Sequence, residues 1–105
     1  MAWIFLLLAG IAEWGWPMGL KFGWTDQGAK FWPLALAVLS ILVSGTLLLL
    51  AQRTIPVGTA YAVWTGIGAV GTFFLGIWLL GEPANALRFV SVGLIVAGIV
   101  GLKMA

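Results

Sequence analysis

The sequence predicts an all-α integral membrane protein with four transmembrane helices per chain, paired as an antiparallel dimer of eight. Three observations carry this expectation. The 105 residues are 63% hydrophobic and only 8% charged, against roughly 45–50% apolar and ~25% charged in soluble domains. Apolar runs long enough to cross a hydrocarbon core of ~30 Å, about 20 helical residues each, can be drawn four times. The five cations are spread almost evenly over the two ends of those runs.

The first segment, residues 2–20, has Glu13 as its only charge and closes at Lys21. Its opening, MAWIFLLLAG, has neither the positive region nor the small-residue cleavage site of a signal peptide, so it is expected to be retained. The second segment, 31–51, is uncharged and stops at QRT. The third, 56–80, is also uncharged, and Pro56 suits a first helical turn, where its missing N–H costs little. The fourth, 85–103, opens in GEPANALR with Asn85 as its N-cap and ends at Lys103. The links KFGWTDQGAK, QRTI and GEPA are short, which favours antiparallel neighbours in one compact domain over 1–105. A transmembrane β-barrel would need period-2 alternation of lipid-facing and lumen-facing residues, and none is present.

Composition also excludes. The net charge of +2 comes from three Lys and two Arg placed singly, with no basic stripe to track phosphates, so no nucleic-acid partner is expected. Without Cys or His there is no disulfide framework, soft-metal site, or thiol or imidazole nucleophile. Neither a metal, a cofactor nor an enzymatic activity is expected.

Small residues recur every four positions at Gly58, Ala62 and Gly66, at Gly68, Thr72 and Gly76, and at Gly93, Ala97 and Gly101. Such strips let helix backbones approach closely in lipid, and the last is the candidate for contact between subunits. With the N-terminus inside, the cytoplasmic side holds Arg53 and Lys103, and the outer side Lys21, Lys30 and Arg88. A difference of one cation hardly selects an orientation under the positive-inside rule, so chains inserted both ways and pairing antiparallel are expected. Four helices cannot easily surround a polar pathway, whereas a dimer supplies eight.

A charged residue in mid-membrane costs several kcal/mol, which makes Glu13 a functional candidate by default. Low-dielectric surroundings disfavour its ionised form, so it can hold a proton when no cation is near and release it when one arrives. Gly10, Glu13, Trp16 and Pro17 share one side of a helix by i, i+3, i+4 spacing. There Gly10 clears space beside the acid. Trp16 offers a π-face and an N–H suited to a small planar cation. Pro17 cannot donate to the Glu13 carbonyl four residues back, which frees that oxygen. Trp14 falls off this side and is assigned to lipid-facing or interfacial packing. Ser44, in the middle of its segment, is a second ligand to the carboxylate, a back-bond to its own helix being the alternative. Tyr61 and Trp64 share a face and can box a cation with Trp16, an interfacial aromatic belt being the alternative for Tyr61. Arg88 and Glu82 are read as solvated or headgroup residues.

Glu13, the GLK closing the first helix, PVGTAYAVWTGIGAVGT in the third, GEPAN in the last loop and GLIVAGIVGLK at the end together resemble the small multidrug resistance transporters over nearly the whole chain. Trp16 and TAYAVWTGIGAVGT are similar to the subtype that exports guanidinium rather than to the quaternary-ammonium drug exporters. The resemblance implies a multi-pass protein of the bacterial inner membrane in which Glu13 binds substrate and protons in alternation. Trp16 and Ser44 would organise that acid, and Tyr61 and Trp64 would line the pocket. It implies an antiparallel dimer of identical chains, a paired heterodimer being the alternative, and export of guanidinium or small guanidinyl cations against protons. Broad export of lipophilic quaternary cations is the nearest rival; a channel or a structural membrane subunit is more distant. EWGWP departs from the subtype, which usually has a small aliphatic residue at the position of Trp14 and often Ala at that of Pro17. The first loop also lacks the common GFTR and its Arg.

Overall fold

A computed structural model describes Met1–Ala105. Its helices are α1 (Ala2–Ala12), α2 (Gly15–Gly23), α3 (Phe31–Ala51), α4 (Val57–Leu80) and α5 (Ala86–Met104), with two-residue strands β1 (Trp24–Thr25) and β2 (Gly28–Ala29) between α2 and α3. Taken together, α1 and α2 form one span, Ala2–Gly23, so four stretches are long and apolar enough to cross a membrane. The first is interrupted at Glu13 and Trp14, and it extends to Gly23 rather than ending at residue 20. The interruption follows from Pro17, which has no N–H for the Glu13 carbonyl. The Trp14 N–H turns to Ile11, at 3.1 Å, in a tighter turn than the α-helical one.

What the sequence places in a plain first loop is a small hairpin. Trp24 pairs with Ala29 and Thr25 with Gly28. The turn is closed by the Thr25 hydroxyl donating to the Gly28 carbonyl at 2.9 Å, and Gly28 sits at φ 109°, a backbone region that only glycine adopts freely. At the other end of the chain, α4 stops at Gly81 in the left-handed conformation, φ 66°, and Pro83 two residues on cannot continue a helix. Asn85 caps α5 by accepting from the Arg88 N–H at 3.1 Å.

Inside the chain α3 packs on both α1 and α2, and α4 packs on α1. The approach of α2 to α3 is close. Gly15, Gly19 and Gly23 turn one strip toward α3, where a Cβ on Gly19 would lie 2.5 Å from the Pro33 carbonyl oxygen. A buried cluster of Leu6, Ala51, Ile55, Ala60 and Val63 ties the N-terminal end of α1 to the α3–α4 turn.

The unit is not the compact bundle that short links suggest. The chain forms a slab, 47 × 34 × 17 Å, and α5 packs chiefly on α4, with Val92 its only buried residue. Phe89 meets Phe73 edge-on at 5.8 Å, and Lys103 Nζ lies 4.9 Å over the Trp3 ring. Gly93 and Gly101 have nothing near them inside the chain, so the strip they form with the exposed Ala97 plays no part in packing the single subunit.

Candidate functional site

Glu13 stands at the turn between α1 and α2, where Trp16 of α2, Ser44 of α3 and Gly68 of α4 supply its surroundings. Glu13 lies against Gly68 of α4: a Cβ there would stand 2.6 Å from the Glu13 Cγ. Its carboxylate is held on both oxygens. Oε1 accepts from the Trp16 indole N–H, and Oε2 lies 3.0 Å from the Ser44 hydroxyl. Ser44 is fully buried and also lies 2.7 Å from the Ala9 carbonyl. On its far side it accepts from the Trp64 indole N–H at 2.7 Å.

Ser44 therefore turns to the acid and to α1, not back to its own helix. That local pattern belongs to Thr46, whose hydroxyl donates to the Leu42 carbonyl at 2.8 Å. A chain of polar groups, Trp64 to Ser44 to Glu13 to Trp16, thus crosses three spans with no buried side-chain polar atom left without a partner.

In front of the carboxylate is an open cavity of about 380 Å³ lined by Glu13, Trp16, Pro17, Tyr61, Trp64, Thr65, Gly68, Ala69 and Thr72, within the range of small-molecule sites. The Tyr61 and Trp64 rings are 5.5 Å apart and tilted by 39°. Both face the cavity wall. The structure thus brings together Glu13, Trp16, Ser44, Tyr61 and Trp64, with Ser44 reaching the acid from behind.

Gly10 is different: it does not line the cavity, and the room it leaves is taken by Ile67, which would stand 2.6 Å from a Cβ there. Trp14 also departs from expectation. It is half-buried rather than turned to lipid, and its indole N–H donates to the Ile67 carbonyl at 2.9 Å. Thr65, Gly68, Ala69 and Thr72 are cavity residues that the sequence reading does not assign to the pocket; Gly68 and Thr72 it gives only to a helix-packing strip. Their signal was the helical spacing of Tyr61, Thr65, Gly68 and Thr72, which puts all four on one face.

Glu82 and Arg88 are exposed, away from this cavity. The Gly93, Ala97 and Gly101 strip is remote from it as well.

Residues 1–95 match the family model described as Small Multidrug Resistance protein. A guanidinium exporter of Citrobacter freundii is 52% identical over 105 residues, spanning all of this chain and 98% of the relative. A guanidinium exporter of Salmonella typhimurium matches at the same identity and coverage. One from Escherichia coli strain K12 is 50% identical, again over the whole of this chain and 98% of its own. With four spans, a polar site at the break in the first of them, and a match over nine-tenths of its length, the chain belongs to the small multidrug resistance family of membrane transporters.

Proposed function

We propose that this chain exports guanidinium and small guanidinyl cations in exchange for protons, working as an antiparallel homodimer in the bacterial inner membrane. One observation carries the reading: the Glu13 carboxylate is fixed by Trp16 and Ser44 at the wall of a cavity lined by aromatic faces and hydroxyl-bearing residues. An ionised carboxylate offers about four lone-pair sites. Trp16 and Ser44 account for two. The others are available to a planar cation whose N–H groups diverge in a fork, the geometry that matches a carboxylate best. Trp16, Tyr61 and Trp64 offer π-faces to the same charge, and Thr65 and Thr72 supply hydroxyl acceptors for its remaining N–H groups. The names of the relatives favour guanidinium as the cation.

Proton and cation compete for one group, so loading either expels the other. Coupling follows from shared occupancy. With one Glu13 per chain, a dimer exchanges at most two protons through this acid. In an antiparallel pair of identical chains, the inward-open and outward-open states are the same structure with the subunits' roles exchanged. Their energies are then alike, as alternating access around a midplane site requires.

The apolar part of the cavity wall, Trp16, Pro17, Tyr61, Trp64 and Ala69, favours a second reading, export of lipophilic quaternary ammonium ions. Transport in liposomes under an imposed pH gradient decides between them. Saturable guanidinium flux that is resistant to long-chain ammonium ions and lost in Glu13→Gln is the expected result. Strong inhibition by those ions would favour the second reading, and flux linear in guanidinium would mean a channel.

A further inference from the structure

Three consecutive steps of the first span dock along α4. Gly10 lies against Ile67, Glu13 against Gly68, and Trp14 against Gly71. The third contact is the closest: a Cβ on Gly71 would fall inside the Trp14 indole, at its Cε2, Nε1 and Cζ2 atoms. The ring therefore fills a notch that exists only because residue 71 has no side chain. From that notch the indole N–H donates to the Ile67 carbonyl at 2.9 Å, the oxygen that also accepts the Gly71 N–H in a regular helix. Trp14 occupies the point where α1 has ended and α2 has not begun, and where Pro17 removes a backbone bond. The turn keeps helical dihedrals, φ −59° and ψ −27° at Glu13 and φ −63° and ψ −29° at Trp14, but it lacks the bond that a residue 17 N–H would give the Glu13 carbonyl, which makes it the least tied point of the span. Trp14 does not line the cavity.

We propose that Trp14 is a positioning residue: seated in the Gly71 notch, it pins the interruption of the first span to α4 and thereby holds the Glu13 carboxylate over Gly68, facing Tyr61 and Trp64. The proposal rests on Glu13 being the cation-binding group. Removing the pin leaves every residue at the cavity in place in the sequence but frees the break, so guanidinium binding weakens while the chain remains folded. Ring and notch act as one device, so their removals are not additive. Once the ring is gone, filling the notch has nothing left to displace.

The test measures guanidinium dissociation constants by calorimetry, and thermal stability in detergent, on the full-length dimer. The variants are Trp14→Phe, Trp14→Ala, Gly71→Ala, the Trp14→Ala/Gly71→Ala pair, and Glu13→Gln. Trp14→Phe keeps a ring and loses one hydrogen bond, and is expected to bind guanidinium about fivefold more weakly. Trp14→Ala and Gly71→Ala are each expected to weaken binding further, and the double variant to match Trp14→Ala. Wild-type dissociation constants in Trp14→Phe and Trp14→Ala would overturn the proposal, as would lowered thermal stability with unchanged binding, or losses that add in the double variant. If Gly71→Ala does not fold, the two Trp14 variants decide. Retained binding in Glu13→Gln would instead overturn the reading of Glu13 itself, whereas its loss there beside unchanged Trp14 variants overturns only the role of Trp14.

Discussion

The Ser44 hydroxyl lies 3.0 Å from Glu13 Oε2 and 2.7 Å from the Ala9 carbonyl, and it has one hydrogen to give. Trp64 donates to the same oxygen. An ionised Glu13 draws that hydrogen to itself. A protonated Glu13 can donate to Ser44, whose hydrogen then turns to Ala9. The hydroxyl thus serves both states of the acid by a rotation, without moving a helix. Ser44→Ala takes this away and leaves the Trp64 N–H without its acceptor. A hydrogen bond to a charged group contributes about 1.5–3 kcal/mol, so guanidinium binding at neutral pH is expected to weaken about tenfold or more, as read by calorimetry.

Competition sets the sign of the pH dependence. In the proposed exchange, guanidinium takes the ionised carboxylate, and falling pH loads that group with a proton instead. Over the range where the free site is protonated, the apparent affinity is expected to fall about tenfold per pH unit for each proton displaced. Dissociation constants measured across pH at constant ionic strength check this. A flat profile would mean that cation and proton occupy different groups.

Trp16 covers one side of the cavity and donates to Glu13 Oε1. Trp16→Gly removes both wall and donor. Guanidinium transport is expected to weaken while bulkier substituted cations become substrates, as measured by flux in liposomes over a size series.

At Gly19 a Cβ would stand 2.5 Å from the Pro33 carbonyl and 2.9 Å from the Ala37 Cβ. Neither is the end of a flexible side chain, so the α2–α3 approach must open. Gly19→Ala is expected to cost about 1–3 kcal/mol, in line with other overpacked interiors. A lowered melting temperature in detergent is the readout.

Gly93 and Gly101 meet nothing inside the chain. If their strip is the contact between subunits, Gly101→Ile leaves the single chain folded but shifts the dimer toward monomer. Subunit association in lipid, followed by crosslinking at graded dilution, tests this against an unchanged dimer.

How far the sequence discloses this architecture depends on which physical constraint is involved. The four spans are legible because lipid demands about 20 apolar residues of helix, and no other reading of 31–51 or 56–80 meets that demand. Glu13 is legible because a carboxylate is costly there. The partners of Ser44 are not, since a mid-helix serine can equally bond its own backbone, as Thr46 does. Trp14 was misplaced for a definite reason. A helical wheel separates the face of Glu13 from the next position but does not say what covers it; here α4 is close enough, through the missing side chain of Gly71, to take the indole. Pro17 was the warning, but it marks a break without saying where the next side chain goes. Gly15, Gly19 and Gly23 recur every four residues in plain view, yet only the position of α3 shows which face they serve. The hairpin at 24–29 is too short for any periodicity to register.

At the centre of the proposed exchange is one acid shared between a proton and an organic cation. The most direct test is to add guanidinium to the purified, weakly buffered protein and count the protons that appear. Release of protons, at most one per chain and absent in Glu13→Gln, is the predicted result. Saturable guanidinium binding that releases none would contradict it.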